Sequence, residues 1–341
     1  MLGTLRYVLA LLVAASHIDI KVAGMNPGVV AVVAFYLISG YVMTGLIHKH
    51  YANPTAIGRF YLDRALRLLP HYYVIVGITL IWFLVTGFRN FYLSREPAIG
   101  NILENLAIVP LNYFMFNDAL RFGLVPPAWS LGAEIQFYLV LPLIFYAGIR
   151  RLAMVASIVV YALAVFGLLN PDWFGYRLLP GVLFMFLTGS LLYDIQHFSN
   201  ANARAFRLIL VSCVSAALLA GILALTRNLS VAVNRETILG IFLGVPLLSL
   251  LGIRQSTRWD EFLGNLSYGV FLNHFFVKWA VFGDNVSGPA SVALYLLLST
   301  ALAIVMHHVI ERPVLALRRS LRRPSDGNLP GSAEASCQRP V

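Results

Sequence analysis

LRYVLALLVAASHI, residues 5–18, decides how this chain is read. The stretch is apolar enough to enter a bilayer, yet it carries Arg6 and His17. Eleven residues at about 100° each return a helix to nearly the same azimuth, and a rise of 1.5 Å per residue separates the two side chains by roughly 16 Å along the axis. One face therefore presents a guanidinium near the membrane edge and an imidazole at depth. Ionisable groups at that depth are costly in lipid. They are expected to face the interior of a bundle and to mark a substrate or proton path, with His17 as a candidate acid or base.

The composition extends that reading to the whole chain. Of 341 residues, 59% are hydrophobic and 12% charged, and the mean hydropathy is +0.77, whereas a soluble domain carries about 25% charged residues. The fold class is all-α, a polytopic integral membrane protein. At roughly 20 apolar residues per crossing, about ten transmembrane helices are expected, near 5–24, 28–47, 72–88, 129–149, 152–170, 178–195, 208–226, 237–253, 264–282 and 290–310. The first is read as a retained helix, because no small-residue cleavage pattern follows it.

Both termini are expected in the cytoplasm. With that orientation the inner loops and ends hold 17 of the 25 Lys and Arg residues and the outer side 8, in keeping with the positive-inside rule. The net charge of +10 is thus a topology signal, and no nucleic-acid partner is implied. Residues 1–317 read as a transmembrane domain. Residues 318–341 read as a basic, disordered tail, with Arg318, Arg319, Arg322 and Arg323 drawn to anionic membrane lipids. Cys213 and Cys337 suggest neither a disulfide nor a zinc site, and His48 and His50 have no neighbouring carboxylates or cysteines, so no metal is expected.

Two loops carry more information. HKHYANPTAIGRFYLDRALRLLPHY, residues 48–72, predicts a short amphipathic helix from Ile57 that ends at Pro70. Arg64 and Arg67, three residues apart, share a face of it and can grip one polyanion together; the alternative is a basic loop that sets topology and touches lipid phosphates. The longest outer loop, between Phe88 and Pro127, carries the amphipathic run NILENLAIVPLNYFMF, residues 101–116, read mostly as cap and interface. It exits through PPAWSLGAEIQFYLVLPLI, residues 126–144, with Trp129 at the boundary and Glu134 inside the next helix, where a lone carboxylate must be partnered or protonated. Ser39 reads as a small helix-packing residue and the His307–His308 pair as interfacial.

Arg6 and His17, the FYLISGY stretch from Phe35 to Tyr41, the Arg64 and Arg67 pair, the WSLGAEIQFY run, the LGNLSYGVFLNH run from Leu263 to His274 and the Glu311-x-Pro313 ending occur in one order over roughly residues 5–315. In that order they resemble the acyltransferase 3 family of integral-membrane O-acyltransferases. The resemblance implies transfer of an acyl group, usually acetyl, from cytoplasmic acyl-CoA to a hydroxyl of an extracytoplasmic or lipid-linked glycan, in the bacterial inner membrane. Some members carry a fused esterase-like domain; none is expected here, so other polysaccharide-pathway proteins would be separate partners.

Sequence and resemblance meet in one geometry. The separation of Arg6 and His17, roughly 16 Å, is comparable to an extended pantetheine arm, which assigns Arg6, Arg64 and Arg67 to donor binding. His17 is the expected general base, its unperturbed pKa near 6.5 suiting proton transfer near neutrality; an acyl-imidazole intermediate is the mechanistic alternative. Glu134 could hold the histidine tautomer or steady the imidazolium. Trp129 and His274 are candidates for substrate binding, His274 equally for a structural hydrogen bond. A transporter or flippase, or a non-catalytic subunit of a polysaccharide export system, is the rival class, and neither predicts turnover of acyl-CoA. The orientation has a direct test: a reporter active only in the cytoplasm should be active when fused after Arg323 and silent when inserted near Asn117, and the reverse pattern would move Arg64 and Arg67 to the wrong face for a cytoplasmic donor.

Overall fold

The structure, a computed structural model, describes residues 1–198, 230–231 and 233–321. Within them the chain is all-helical, and the only extended pairings among the described residues are isolated bridges between Val22 and Met25 and between Leu93 and Phe122. The chain forms α1 (Leu2–Ser16), α2 (Pro27–His50) and α3 (Ile57–Thr86), then the short α4 (Ile99–Ala107), α5 (Val109–Asn112) and α6 (Phe114–Asn117). It continues with α7 (Ala128–Tyr146), α8 (Arg150–Val165), α9 (Leu179–Phe198), α10 (Asn234–Gly252), α11 (Arg258–Phe282), α12 (Pro289–Met306) and α13 (Arg312–Leu321). Six stretches are long and apolar enough to cross a bilayer by length and composition: Pro27–His50, Pro54–Thr86, Ala128–Tyr146, Trp173–Phe198, Asn234–Gly252 and Pro289–Leu315. The segment expected at 208–226 lies outside the described residues.

Two expectations shift at element ends. The first helix stops at Ser16 instead of running to residue 24, which makes His17 its C-cap. Asp19, Ala23 and Gly24 then take positive φ and turn the chain into α2, where Pro27 opens the helix and the Asn26 side chain accepts from the Gly28 N–H at 2.8 Å, a favourable start because proline lacks the donor that a first turn leaves unpaired. The second shift is at Pro70, which does not end the basic-loop helix. One helix of 30 residues runs through it. Proline removes one backbone donor and crowds the carbonyl four residues back, that of Leu66, a cost that helices packed in an apolar bundle tolerate; the neighbouring Leu68 carbonyl also accepts from the Tyr268 hydroxyl at 2.9 Å.

The bundle is organised around α1 and α2. The α1 helix packs on α2 and α11, α2 on α9 and α10, and α11 on α12. Since lipid is as apolar as leucine, helices gain here from close approach more than from burial. A Cβ on Gly40 of α2 would fall 1.7 Å from the Phe186 carbonyl oxygen, and one on Gly189 of α9 would fall 1.9 Å from that of Leu37. The two backbones therefore touch, and only glycine permits it.

Relative to the N-terminus, α9 ends at the same end of the bundle, where Asp194 meets His48 and Arg150. The α10 helix begins at the far end, where Glu236 accepts from the Asn26 N–H at 3.2 Å and the Asn234 amide donates to the Val165 carbonyl at 3.1 Å. Residues 87–127 close that far end. Their fold is fixed by fully buried Asn105, which donates to the Phe122 carbonyl and accepts from the Leu124 N–H.

The glycine contact sets a stability prediction. Gly40→Val and Gly189→Val should each lower the thermal unfolding midpoint of the detergent-solubilised protein, overpacking costing about 1–3 kcal/mol. Gly58→Ala, on an exposed turn with nothing near its Cβ, should be neutral or slightly stabilising, because alanine orders a helix at lower entropic cost than glycine.

Candidate active site

Two cavities lie end to end inside the bundle. The one nearer the N-terminus has a volume of about 330 Å³ and carries Arg6, Arg64, Arg67, Arg318, Ser39 and Glu134 among its walls. The one at the far end measures about 240 Å³ and is lined by His17, Asn26, Trp129, Arg177 and the rings of Phe91, Tyr92, Phe114 and Tyr176. Val32, Ser130 and Phe271 line both. They form the partition between the two chambers.

The cationic chamber is built by two buried carboxylates. Asp63, fully buried, pairs with Arg64 and accepts from Arg318 Nε at 3.0 Å. Glu311 accepts from Arg67 at 3.2 Å, from His307 Nδ1 at 2.9 Å and from His71 Nδ1 at 3.3 Å. His307 and Glu311 sit on one turn of π-helix, His307–Glu311, and such turns place side chains that a regular α-helix would carry elsewhere. Arg67 also lies over the Tyr268 ring at 5.7 Å. These partners hold the arginines in position without covering them, since each still lines the chamber. Arg6 has no hydrogen bond or ion pair among the described residues, and Arg64 Nε is buried without a partner. A polyanion would supply what those donors lack.

Several expected positions are revised by these contacts. His307 is buried against Glu311, and only His308 is exposed. Arg318, expected at the lipid face of the tail, is buried on Asp63, and α13 carries the fold past residue 318 to Leu321; the residues beyond are outside those described. Ser39, read as a packing residue, donates to Glu134, as does the Tyr138 hydroxyl. Glu134 therefore belongs to the cationic chamber. Its expected contact with His17 is not formed among the described residues, because α7 presents Trp129 and Ser130, not Glu134, at the level of the far chamber.

His17 instead packs against α11. Its ring stacks on His274 with centroids 5.4 Å apart and planes 18° from parallel, and Phe275 lies 4.7 Å away. Neither ring nitrogen of His17 has a hydrogen-bond partner among the described residues. His274 is fully buried, with Nδ1 at 3.0 Å from the Val270 carbonyl oxygen. A carbonyl only accepts, so Nδ1 carries the proton, and Nε2 keeps its lone pair, buried and without a partner. Trp129 lines the far chamber, with Arg177 over its face at 4.3 Å. Arg177 is in turn held by Asp172 at 2.8 Å. In the sequence Arg177 is one of the eight outer-side cations, and its place inside the apolar run WFGYRLLP, residues 173–180, is the signal that marks it.

The arrangement can hold a phosphorylated ligand at one end, pass a thin arm through a partition, and present its tip to an imidazole beside an aromatic chamber. Among the described residues no group of three or more His, Cys, Asp or Glu side chains is arranged to hold a metal ion.

A family model described as an acyltransferase domain matches residues 2–308. The chain is 26% identical over 359 aligned positions to a putative peptidoglycan O-acetyltransferase of Bacillus subtilis, covering 92% of this chain and 54% of that protein, so it spans about half the length of that relative. It is 25% identical to the exopolysaccharide production protein ExoZ of Rhizobium meliloti, over 93% of this chain and 96% of that one. It is 36% identical to an uncharacterised protein of Aquifex aeolicus over 58% of this chain and 91% of that one. No solved structure matches. With 307 consecutive residues matched and helices fit to cross a membrane, the chain belongs to the acyltransferase 3 family and is a membrane O-acyltransferase.

Proposed function

We propose that this chain moves an acyl group, acetyl in the first instance, from cytoplasmic acyl-CoA to a hydroxyl of an extracytoplasmic or lipid-linked glycan, as a ten-crossing protein of the bacterial cell membrane with both termini in the cytoplasm. The observation that carries the reading is the pair of chambers, cationic toward the N-terminus and histidine-lined at the far end, meeting at one partition. The ten-crossing count is supported by α9 ending at one end of the bundle and α10 starting at the other. A glycan acceptor is supported by the relatives named for peptidoglycan O-acetylation and exopolysaccharide production and by Trp129, Tyr92 and Phe91 in the far chamber, flat apolar faces of the kind on which a sugar ring stacks.

The roles follow from placement. Arg64, Arg67 and Arg6 receive the donor's phosphates and the polar part of its arm, with Asp63 and Glu311 fixing two of them. Glu134, held by Ser39 and Tyr138, offsets the positive charge around Arg6 and offers an acceptor to the amide N–H groups of the arm. His17 takes the proton of the sugar hydroxyl as that oxygen forms its bond to the thioester carbonyl carbon. The carbon–sulfur bond breaks, and the proton held by His17 passes to the departing thiolate. His274 keeps the His17 ring plane by stacking behind it, away from the chambers. Trp129 and Arg177 form the acceptor wall.

The test separates binding from chemistry. His17→Ala should fold, insert in the membrane and bind acyl-CoA, yet lower transfer by about 10²–10⁴-fold, and His17→Gln should be equally impaired because an amide cannot carry the proton. Near-parental turnover in the glutamine variant would leave His17 a structural group and overturn the mechanism.

A further inference from the structure

We infer that Phe271 is the acyl-length filter of this enzyme: its ring closes the partition through which the acyl group must pass, tip first, to reach His17. The inference rests on the donor reading above and adds to it a specificity determinant. Three side chains line both chambers. Val32 is buried and short, and Ser130 is buried and donates to the Pro127 carbonyl at 3.0 Å, so neither has room or length to change the opening. Phe271 is large and only half-buried. Its ring stands edge-on to Phe35 of the cationic chamber at 6.4 Å and edge-on to His274 at 6.4 Å on the other side.

The helix register makes the filter unavoidable. Tyr268, Phe271 and His274 are spaced three residues apart on α11, each turned about 60° from the one before, and they stand at the cationic chamber, the partition and the His17 stack in turn. Successive members are separated by about 4.5 Å of axial rise. A thioester carbon beside His17 therefore has its acyl chain beyond the Phe271 ring, in the acceptor chamber, and its pantetheine arm across the partition. An acetyl group is one methyl wide and adds almost nothing to the arm that follows it. A longer chain must first thread past the ring and then occupy the 240 Å³ that the acceptor needs. The transfer step itself is unchanged: the acceptor oxygen bonds the carbonyl carbon, sulfur leaves, and the hydroxyl proton travels through His17 to sulfur.

The test uses purified protein in detergent and two readouts. The first is equilibrium binding of uncleavable S-ethyl-, S-butyl- and S-hexyl-CoA; the second is release of the CoA thiol from acetyl-, butyryl- and hexanoyl-CoA, with water in place of the acceptor. The parent should prefer the shortest chain in both. Phe271→Ala should shift the ratio of butyryl to acetyl turnover, and of S-butyl to S-ethyl affinity, by about tenfold or more toward the longer chain, the discrimination that one or two methylenes produce in an apolar constriction. Phe271→Leu should fall between, and Phe271→Trp should sharpen the preference for acetyl. Unchanged ratios in all three variants, with S-ethyl-CoA still bound, would overturn the filter and leave the donor reading standing. Failure of the parent to bind S-ethyl-CoA at all would overturn the donor reading and the filter with it.

Discussion

Glu311 is the group on which the cationic chamber of this molecule depends. A carboxylate almost fully removed from water is tenable only when its lone pairs are met, and here Arg67, His71 and His307 meet them. Taking away one partner of such a buried pair costs about 3–5 kcal/mol, because the other charge is stranded. The cluster therefore ties α3, the π turn and the end of α12 into one unit, and Asp63 does the same for α3 and α13 through Arg64 and Arg318. Arg67 is thereby fixed on the wall of a cavity.

The same economy of charge explains the order of the two chambers. Lipid excludes unpaired ions, so the ionisable groups lie inside, and the two chambers differ in what they hold. One has four arginines around a single hydrogen-bonded glutamate; the other has uncharged aromatic rings, the His17 imidazole and one arginine pinned by Asp172. A polyanion is stabilised in the first and has little to gain in the second. A neutral sugar finds the reverse. His17, as the C-cap of α1, stands at the end of a rigid helix that also carries Arg6, so one element spans both binding problems. The backbone contact between Gly40 and Phe186 and its counterpart at Gly189 keep α2, which supplies Val32 to the partition, from sliding against α9.

Much of this was legible in the sequence, for identifiable reasons. Long apolar runs announce crossings whatever they pack against, and a basic residue or histidine in or beside one has few permitted surroundings, which is why Arg6, His17, Arg64 and Arg67 all fall on cavity walls. Partners were harder. Glu134 sits on the right helix but one turn too far from His17, and nothing in a single sequence ranks Ser39 and Tyr138 above an imidazole as its neighbours. The roles of His307 and Glu311 depend on a π turn, which has no periodic signature, so His307 read as interfacial. Pro70 read as a helix end because proline stops most helices in water, whereas an apolar bundle tolerates it inside a helix. Phe271 lay within a quoted motif but had no chemistry of its own to single it out.

What binds where is the point on which the mechanism turns, and a structure of the protein solved with S-ethyl-CoA decides it. Phosphates against Arg64 and Arg67, the arm crossing between Val32, Ser130 and Phe271, and the ethyl group within contact of the His17 ring are the predicted result. Phosphates against Arg177 in the far chamber, or an arm that never reaches the partition, would contradict it.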